Sequence, residues 1–148
     1  MAAFVTDLSK FAAKAKGNMD AVVRKVVLDV GISVVQKSPV GDGDYWKSPP
    51  PPGYVGGRFR GNWQYTFNAM LTAKEVDVID PSGSMSIGRI SKGLGEQATA
   101  MGIHYISNNL PYAKRLEEGW SYRQAPQGMV MLTAVEFQTF FRKAAAKL

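Results

Sequence analysis

Met19, Val22, Val23, Val26, Val27, Val30 and Val34 stand at offsets 0, 3, 4, 7, 8, 11 and 15, and no strand can put all of them on one side. Valine favours sheets. These valines nevertheless come in pairs about four residues apart, with Arg24, Lys25, Asp29 and Gln36 between them, which is the spacing of one helix face. A helix with a single apolar stripe needs a second layer to lie on. Asn18 suits its N-cap with Asp20 in the first turn, and Ser38-Pro39 ends it because the residue before a proline avoids the helical region. Leu8, Phe11, Ala12 and Ala15 predict a shorter segment ahead of it, capped by Thr6, with Gly17 bending or dividing the two.

The rest of the chain supplies the second layer. Trp63, Tyr65 and Phe67 alternate with Gln64 and Thr66 as a half-buried strand does, and Val76, Val78 and Ile79 predict its partner. Ile103, Tyr105 and Ile106 read as a third strand around His104, closed by Asn108-Asn109. Residues 82–102 between them are rich in serine and glycine and offer one short helix about Leu94 to Met101. Pro111 to Glu118 reads as a short helix with proline in its first turn and Gly119 as its C-cap. A last helix runs from Gly128 to Ala146. Its Met129, Leu132, Val135, Phe137, Phe140 and Phe141 take up most of the circumference, so at least two of its faces should be covered. The outline is an α+β fold, a small antiparallel sheet packed by a long N-terminal and a long C-terminal helix, in one domain over residues 1–148 without internal repeats.

Residues 38–57, SPVGDGDYWKSPPPPGYVGG, carry too much proline and glycine for a helix or a central strand. The run Pro49 to Pro52 favours an extended polyproline conformation. A compact domain seldom keeps a loop of about 20 residues unless that loop is functional or disordered. Tyr45, Trp46 and Tyr54 within it either pack back on the subunit or sit against a neighbour.

Composition narrows the chemistry. The chain has no cysteine and one histidine, which removes disulfides, thiolate metal sites and cysteine nucleophiles and leaves any imidazole catalysis to His104 alone. No enzyme, cofactor or metal is expected. GYVGGRFRG at 53–61 lacks the lysine-serine or lysine-threonine ending of a phosphate loop and follows prolines instead of a strand. Glu117 and Glu118 are adjacent, so on a helix they diverge by about 100° and cannot flank one glycosidic bond; Glu118 can instead pair with Lys114. The net charge of +6 suits a solvated basic surface, proximity to DNA, or dedicated DNA recognition, and the even spread of lysine and arginine favours the first. No run resembles a signal peptide or a membrane span, which predicts a soluble protein, cytoplasmic when made.

GRFRGNW at 57–63, NNLPYAKRLEEGWS at 108–121 and QAPQGMV at 124–130, together with the helix that ends in SPVGDG at Gly43, resemble the neck or tail-completion protein family of siphophages, a functional neighbour of the lambda minor tail protein Z. The likeness covers nearly the whole chain. Members often pass straight from a Pro-Val-Asp-Thr-Gly turn into the Gly-Arg-x-Arg segment, whereas Gly41-Asp42-Gly43 and the proline loop intervene here. The resemblance implies a non-enzymatic virion subunit in a homo-oligomeric ring, of sixfold symmetry, between the head-completion connector protein and the tail terminator. Genomic DNA would pass through its lumen without sequence recognition. It implies no membrane, small-molecule substrate or cofactor, and a place in the virion neck after assembly in the host cytoplasm. A nucleic-acid-binding accessory protein is the alternative.

Candidate interface residues follow from physical character. Tyr45, Trp46 and Tyr54 are the loop's aromatics, and Arg58 and Arg60 can reach carboxylates or phosphates from one side of an extended segment. Tyr112, Arg115, Glu117, Glu118 and Trp120 crowd a helix of about two turns that cannot hide them all. The glutamates are expected to find Arg58 or Arg60 of a neighbouring copy. Trp63 is divided between core and interface, and Asn108-Asn109 suits a turn that bonds nearby backbone.

Overall fold

The computed structural model describes residues 2–97 and 99–147. In chain order these form α1 (Ala2–Lys37), a 3-10 turn (Gly43–Tyr45), α2 (Arg58–Gly61), β1 (Gln64–Phe67), α3 (Ser84–Gln97), β2 (His104–Ser107), α4 (Ala113–Glu117) and α5 (Val130–Ala146). The α+β outline holds: a small antiparallel sheet packs with the long helices α1 and α5. α1 is one unbroken helix, which overturns the expected division at Gly17 and the caps at Thr6 and Asn18. A Cβ at Gly17 would meet nothing within 4 Å, and one mid-helix glycine costs only about 1 kcal/mol, too little to break a helix held elsewhere by packing.

The valine stripe does what its spacing demands. Val34 and Val35 join Phe59, Trp63, Ile90, Leu94, Leu110, Ala125 and Met129 in the main core, while Val22 and Val26 pack on Ala144 and Phe140 of α5. α5 therefore runs antiparallel to α1, with Ser33 and Thr133 sharing a buried 2.9 Å hydroxyl bond and Lys37 paired with Glu136 at one end. Trp63 belongs to the core. Its indole N–H donates to the Ser38 hydroxyl at 2.8 Å, just where α1 stops.

Two strands form the sheet among the described residues, in the register Gln64↔Ser107, Tyr65↔Ile106, Thr66↔Tyr105 and Phe67↔His104. The expected partner at Val76 to Ile79 is not a strand: Val76 donates its N–H to the Asn62 side chain at 2.7 Å, and Asp80 donates to the Gly57 carbonyl at 3.1 Å. Side chains and turns satisfy that segment where a ladder was expected. The short helix expected at Leu94 to Met101 overlaps α3 only at Leu94 to Gln97: α3 runs from Ser84 to Gln97, and residues 99–101 are not helical. Its small residues are what proximity requires, because a Cβ at Gly93 would press into the Tyr65 ring of β1. Asp80 anchors its start, accepting from the N–H groups of Gly83, Met85 and Ser86.

α5 departs from expectation on its outer side. Val135 is 77% exposed and Phe137 and Phe141 are each 49% exposed, so one face is covered where at least two were expected. Among the described residues α1 is the element that packs most extensively along it.

Candidate functional site

Two of the sequence runs singled out above, 57–63 and 108–121, meet in space. Asn62, fully buried, donates to the side-chain oxygens of Asn108 at 2.8 Å and Asn109 at 3.0 Å, and accepts from Val76 N–H. Asn108 donates in turn to the Phe59 carbonyl at 2.8 Å, Asn109 to the Ala73 carbonyl at 3.0 Å, and Gln64 to Asn109 at 3.3 Å. Asn108 also accepts from Leu110 N–H, the local turn bond expected of it, but its longer reach matters more. This polar clasp fixes α2 beside the turn that leads into α4.

On that clasp stands an open groove of about 920 Å³. One wall is the proline loop. Its ends touch, since a Cβ on Gly56 would collide with the backbone of Gly41, and Trp46 and Tyr54 pack across it with ring centroids 4.6 Å apart and planes tilted by 54°, so residues 42–55 form a loop closed at its neck and packed by its own side chains. The other wall is Tyr112, Leu116 and residues 120–124, with Phe59 also lining the groove. Gln124 ties the walls together, accepting from Val40 N–H at 2.8 Å and donating to Val40 O at 2.7 Å. Of the candidate residues, Tyr45, Trp46, Tyr54, Arg58, Tyr112 and Trp120 all line this space. Trp46 and Tyr54 thus pack on one another and Tyr45 lies under Arg123, while all three still face solvent, each more than a third exposed.

The remaining candidates divide. Arg115 stacks on Trp120 with its guanidinium 4.8 Å from the ring, and Glu118 pairs with Lys114 at 3.8 Å as its spacing predicted. Arg58 faces Glu75 at 3.2 Å, a partner no spacing suggested. Arg60 is turned inward: its guanidinium donates to the carbonyls of Gln36, Ser38 and Pro81, closing the end of α1, and burial lowers its pKa from the ordinary arginine value, with Asp80 partly offsetting this. Glu117 is likewise spoken for within the chain. Its carboxylate accepts from the N–H groups of Met129, Val130 and Met131 at 2.9, 2.9 and 3.0 Å and caps α5. Both Glu117 and Arg60, expected to meet a neighbouring copy, thus make several bonds within the chain, and a charge reversal at either would strike the fold before any neighbour.

Burial alone would push the Glu117 carboxyl up, but the three backbone donors outweigh it and hold it below the usual glutamate value. A carboxylate lowered on folding stabilises fully above its unfolded pKa of about 4.3 and loses that stabilisation as pH falls through the folded value. Glu117→Gln should lower stability at neutral pH by about 1 kcal/mol, the scale of a lost helix cap. Urea melts at stepped pH should show the difference from wild type shrinking below pH about 4; a gap that stays constant into acid would refute the cap.

His104 serves the sheet. Its Nε2 lies 3.1 Å from the Thr99 carbonyl, which can only accept, so Nε2 carries the proton and Nδ1 takes the Tyr65 hydroxyl at 2.9 Å. His104→Gln should cost about 1 kcal/mol in a thermal melt without changing any assembly property.

Sequence reasoning missed Val55, Ile79, Tyr122 and Arg123 on the groove. Arg123 lies 4.3 Å over Tyr45 and 5.5 Å from Tyr122, bridging loop and turn by cation–π contact. The signal was a Tyr-Arg pair directly after Trp120-Ser121, in a turn too short to bury it. Comparison with family models, curated proteins and solved structures gives no match for this chain.

Proposed function

We propose that this chain is a structural subunit of the head-to-tail neck of a long-tailed bacteriophage, a tail-completion protein that joins like copies into a ring between the head connector and the tail terminator, around the DNA path. The observation that carries the reading is the open aromatic groove, where the runs that resemble the neck family are clasped together beneath exposed tyrosine and tryptophan. Such side chains, flanked by guanidinium groups, are the typical anchors of protein interfaces. The net charge of +6 suits a lumen through which DNA slides. The work of such a subunit is recognition and not catalysis: a neighbour seats on the groove, and the assembled ring holds head to tail.

The test uses the loop's closed neck. Excising Asp42 to Val55 joins backbone that already touches, so the variant should fold with a melting temperature near that of wild type. In the phage that carries it, free heads and free tails should accumulate unjoined by electron microscopy, with plaque formation lost. Wild-type plaque counts from the folded excision variant, or absence of the chain from purified virions by mass spectrometry, would refute the reading.

One observation favours a second reading, a nucleic-acid accessory protein: aromatic rings beside Arg58 and Arg123 also make a stacking platform for unpaired bases. Tight, steeply salt-dependent binding of short oligonucleotides by the isolated chain would select it, whereas a neck subunit should bind them weakly.

A further inference from the structure

We infer that the aromatic groove receives the exposed proline run Pro49 to Pro52 of a second copy, so that copies join head to tail, the prolines of one in the groove of the next. Each chain displays both halves of the contact. Ser48, Pro49, Pro50 and Pro51 each precede a proline, which bars them from the helical region and holds the run extended. Such a run turns once in about three residues, so Pro49 and Pro52 share one side. Both are exposed. Pro50 packs inward on Gly43, where a Cβ would meet its ring at 2.5 Å. A ridge set in this way loses little freedom when it binds. None of the four prolines lines the groove that their own loop walls, so a run that fills it comes from another copy.

The groove has the chemistry that proline requires. Proline offers a carbonyl oxygen and no N–H, so a surface that reads it needs flat apolar faces that also carry hydrogen-bond donors. Tyrosine and tryptophan meet both demands, whereas phenylalanine meets only the first. The groove presents Tyr45, Trp46, Tyr54, Tyr112, Trp120 and Tyr122 against a single phenylalanine, Phe59. Trp120 and Tyr122 are 66% and 70% exposed, which leaves their faces free to take a ligand. The indole N–H of Trp63 is spent on Ser38, but those of Trp46 and Trp120 have no partner among the described residues.

Charge favours the same occupant. Asp42 and Asp44 lead into the proline run and form no ion pair among the described residues. Lys47 offsets one of them, so the loop carries one net negative charge. On the far wall Lys114 pairs with Glu118 and Glu117 caps α5, which leaves the guanidinium groups of Arg115 and Arg123 over aromatic rings without a carboxylate. An anionic proline loop thus meets a cationic aromatic wall.

Donor and acceptor are different patches, so each copy gives to one neighbour and takes from the other, and a ring forms where the rotation closes. A single proline turn buries far less than the roughly 1,200 Å² of a stable interface, so free copies join weakly and a closed ring gains by holding several contacts at once. The ring rests on the neck reading above; the contact itself does not.

Two variants of the full chain, each altered at exposed positions and each expected to melt like wild type, test the contact. Pro49→Ser with Pro52→Ser removes the ridge, and Trp120→Ala with Tyr122→Ala removes acceptor faces. In sedimentation equilibrium wild type should associate beyond the dimer with Kd on the order of 50 μM. Each variant alone should stay monomeric at about 0.5 mM. An equimolar mixture of the two should form a one-to-one dimer and nothing larger, because one intact ridge and one intact groove remain. A synthetic peptide of Lys47 to Gly53, added to the Pro49→Ser, Pro52→Ser variant, should shift the indole N–H resonances of Trp46 and Trp120 and leave that of Trp63 in place; the peptide with alanine for every proline should shift none. Wild type still monomeric at about 0.5 mM, a mixture that stays monomeric or grows past the dimer, or indole shifts caused by an oligothymidine and not by the proline peptide would overturn the inference. Plaques lost on excision of the loop but normal with Pro49→Ser and Pro52→Ser would overturn it too and leave the neck reading standing. A confirmed contact in a chain absent from virions would remove the neck reading and leave the contact.

Discussion

Replacing Arg60 by methionine is expected to destabilise the fold by about 2–4 kcal/mol, a large part of the roughly 5–15 kcal/mol that holds a domain together. Methionine fills much of the same volume, so the loss isolates what the guanidinium does. It donates to Ser38 O at 3.1 and 2.6 Å, to Gln36 O at 3.1 Å and to Pro81 O at 2.7 Å. Those carbonyls lie at the end of α1 and the approach to α3, so one side chain joins the helix that carries the valine stripe to the helix that covers the sheet. Without it, carbonyls at the end of α1 lose their partners and Asp80 loses a neighbouring cation. Lysine should rescue little, because a single ammonium cannot spread over three carbonyls as a planar fork does. Urea melts of Arg60→Met and Arg60→Lys would settle this; a variant within 1 kcal/mol of wild type would show that the carbonyls are served well enough by water.

Asn62→Asp should cost about 3–4 kcal/mol although it changes one atom. Asn62 is wholly buried and donates through its amide nitrogen to the oxygens of Asn108 and Asn109. A carboxylate has nothing to donate and would face two acceptors. Turning the partners' amides over does not help, since their nitrogens are already engaged with Phe59 O and Ala73 O. Every orientation leaves buried groups unpaired, and protonating the aspartate restores one donor where two were used. The variant should therefore regain stability in acid, unlike Arg60→Met, and below its melt should show altered fluorescence from Trp120 as the groove wall loosens. A thermal melt indistinguishable from wild type at neutral pH would mean that the clasp is not what holds α2 to the α4 turn.

Much of the fold was legible because it is written in periodicity. The valines declared α1, the Trp63-Tyr65-Phe67 alternation declared β1, and Gly119 does adopt the left-handed conformation, φ 91°, expected just past α4. α3 was underread because its glycines and serines look like a loop; Ile87, Ile90 and Leu94 at helical spacing were the available signal, and the reason for the small residues, the Tyr65 ring, lies far away in sequence. The partner of β1 was misassigned because Val76 to Ile79 has strand-like composition, while pairing is decided by register and by the Asn62 clasp that claims Val76 N–H. For the site, six of ten candidates meet in the groove because exposed aromatics in a short loop have few places to go. The internal bonds of Arg60 and Glu117 could not be read at all. Their partners are backbone carbonyls and N–H groups, which every residue possesses and no sequence marks.

The contact between Gly41 and Gly56 makes the proline loop an exchangeable cassette. Because the chain enters and leaves it at one point, its length hardly registers in the core: each doubling of a flexible loop adds only about 0.6 kcal/mol of closure entropy. The scaffold of α1, the sheet and the α2 clasp can thus keep its shape while the cassette is lengthened, shortened or rewritten, and with it one wall of the groove. A peptide epitope or a fluorescent tag placed between Ser48 and Gly53 should accordingly be carried on a natively folded chain without altering how the domain folds.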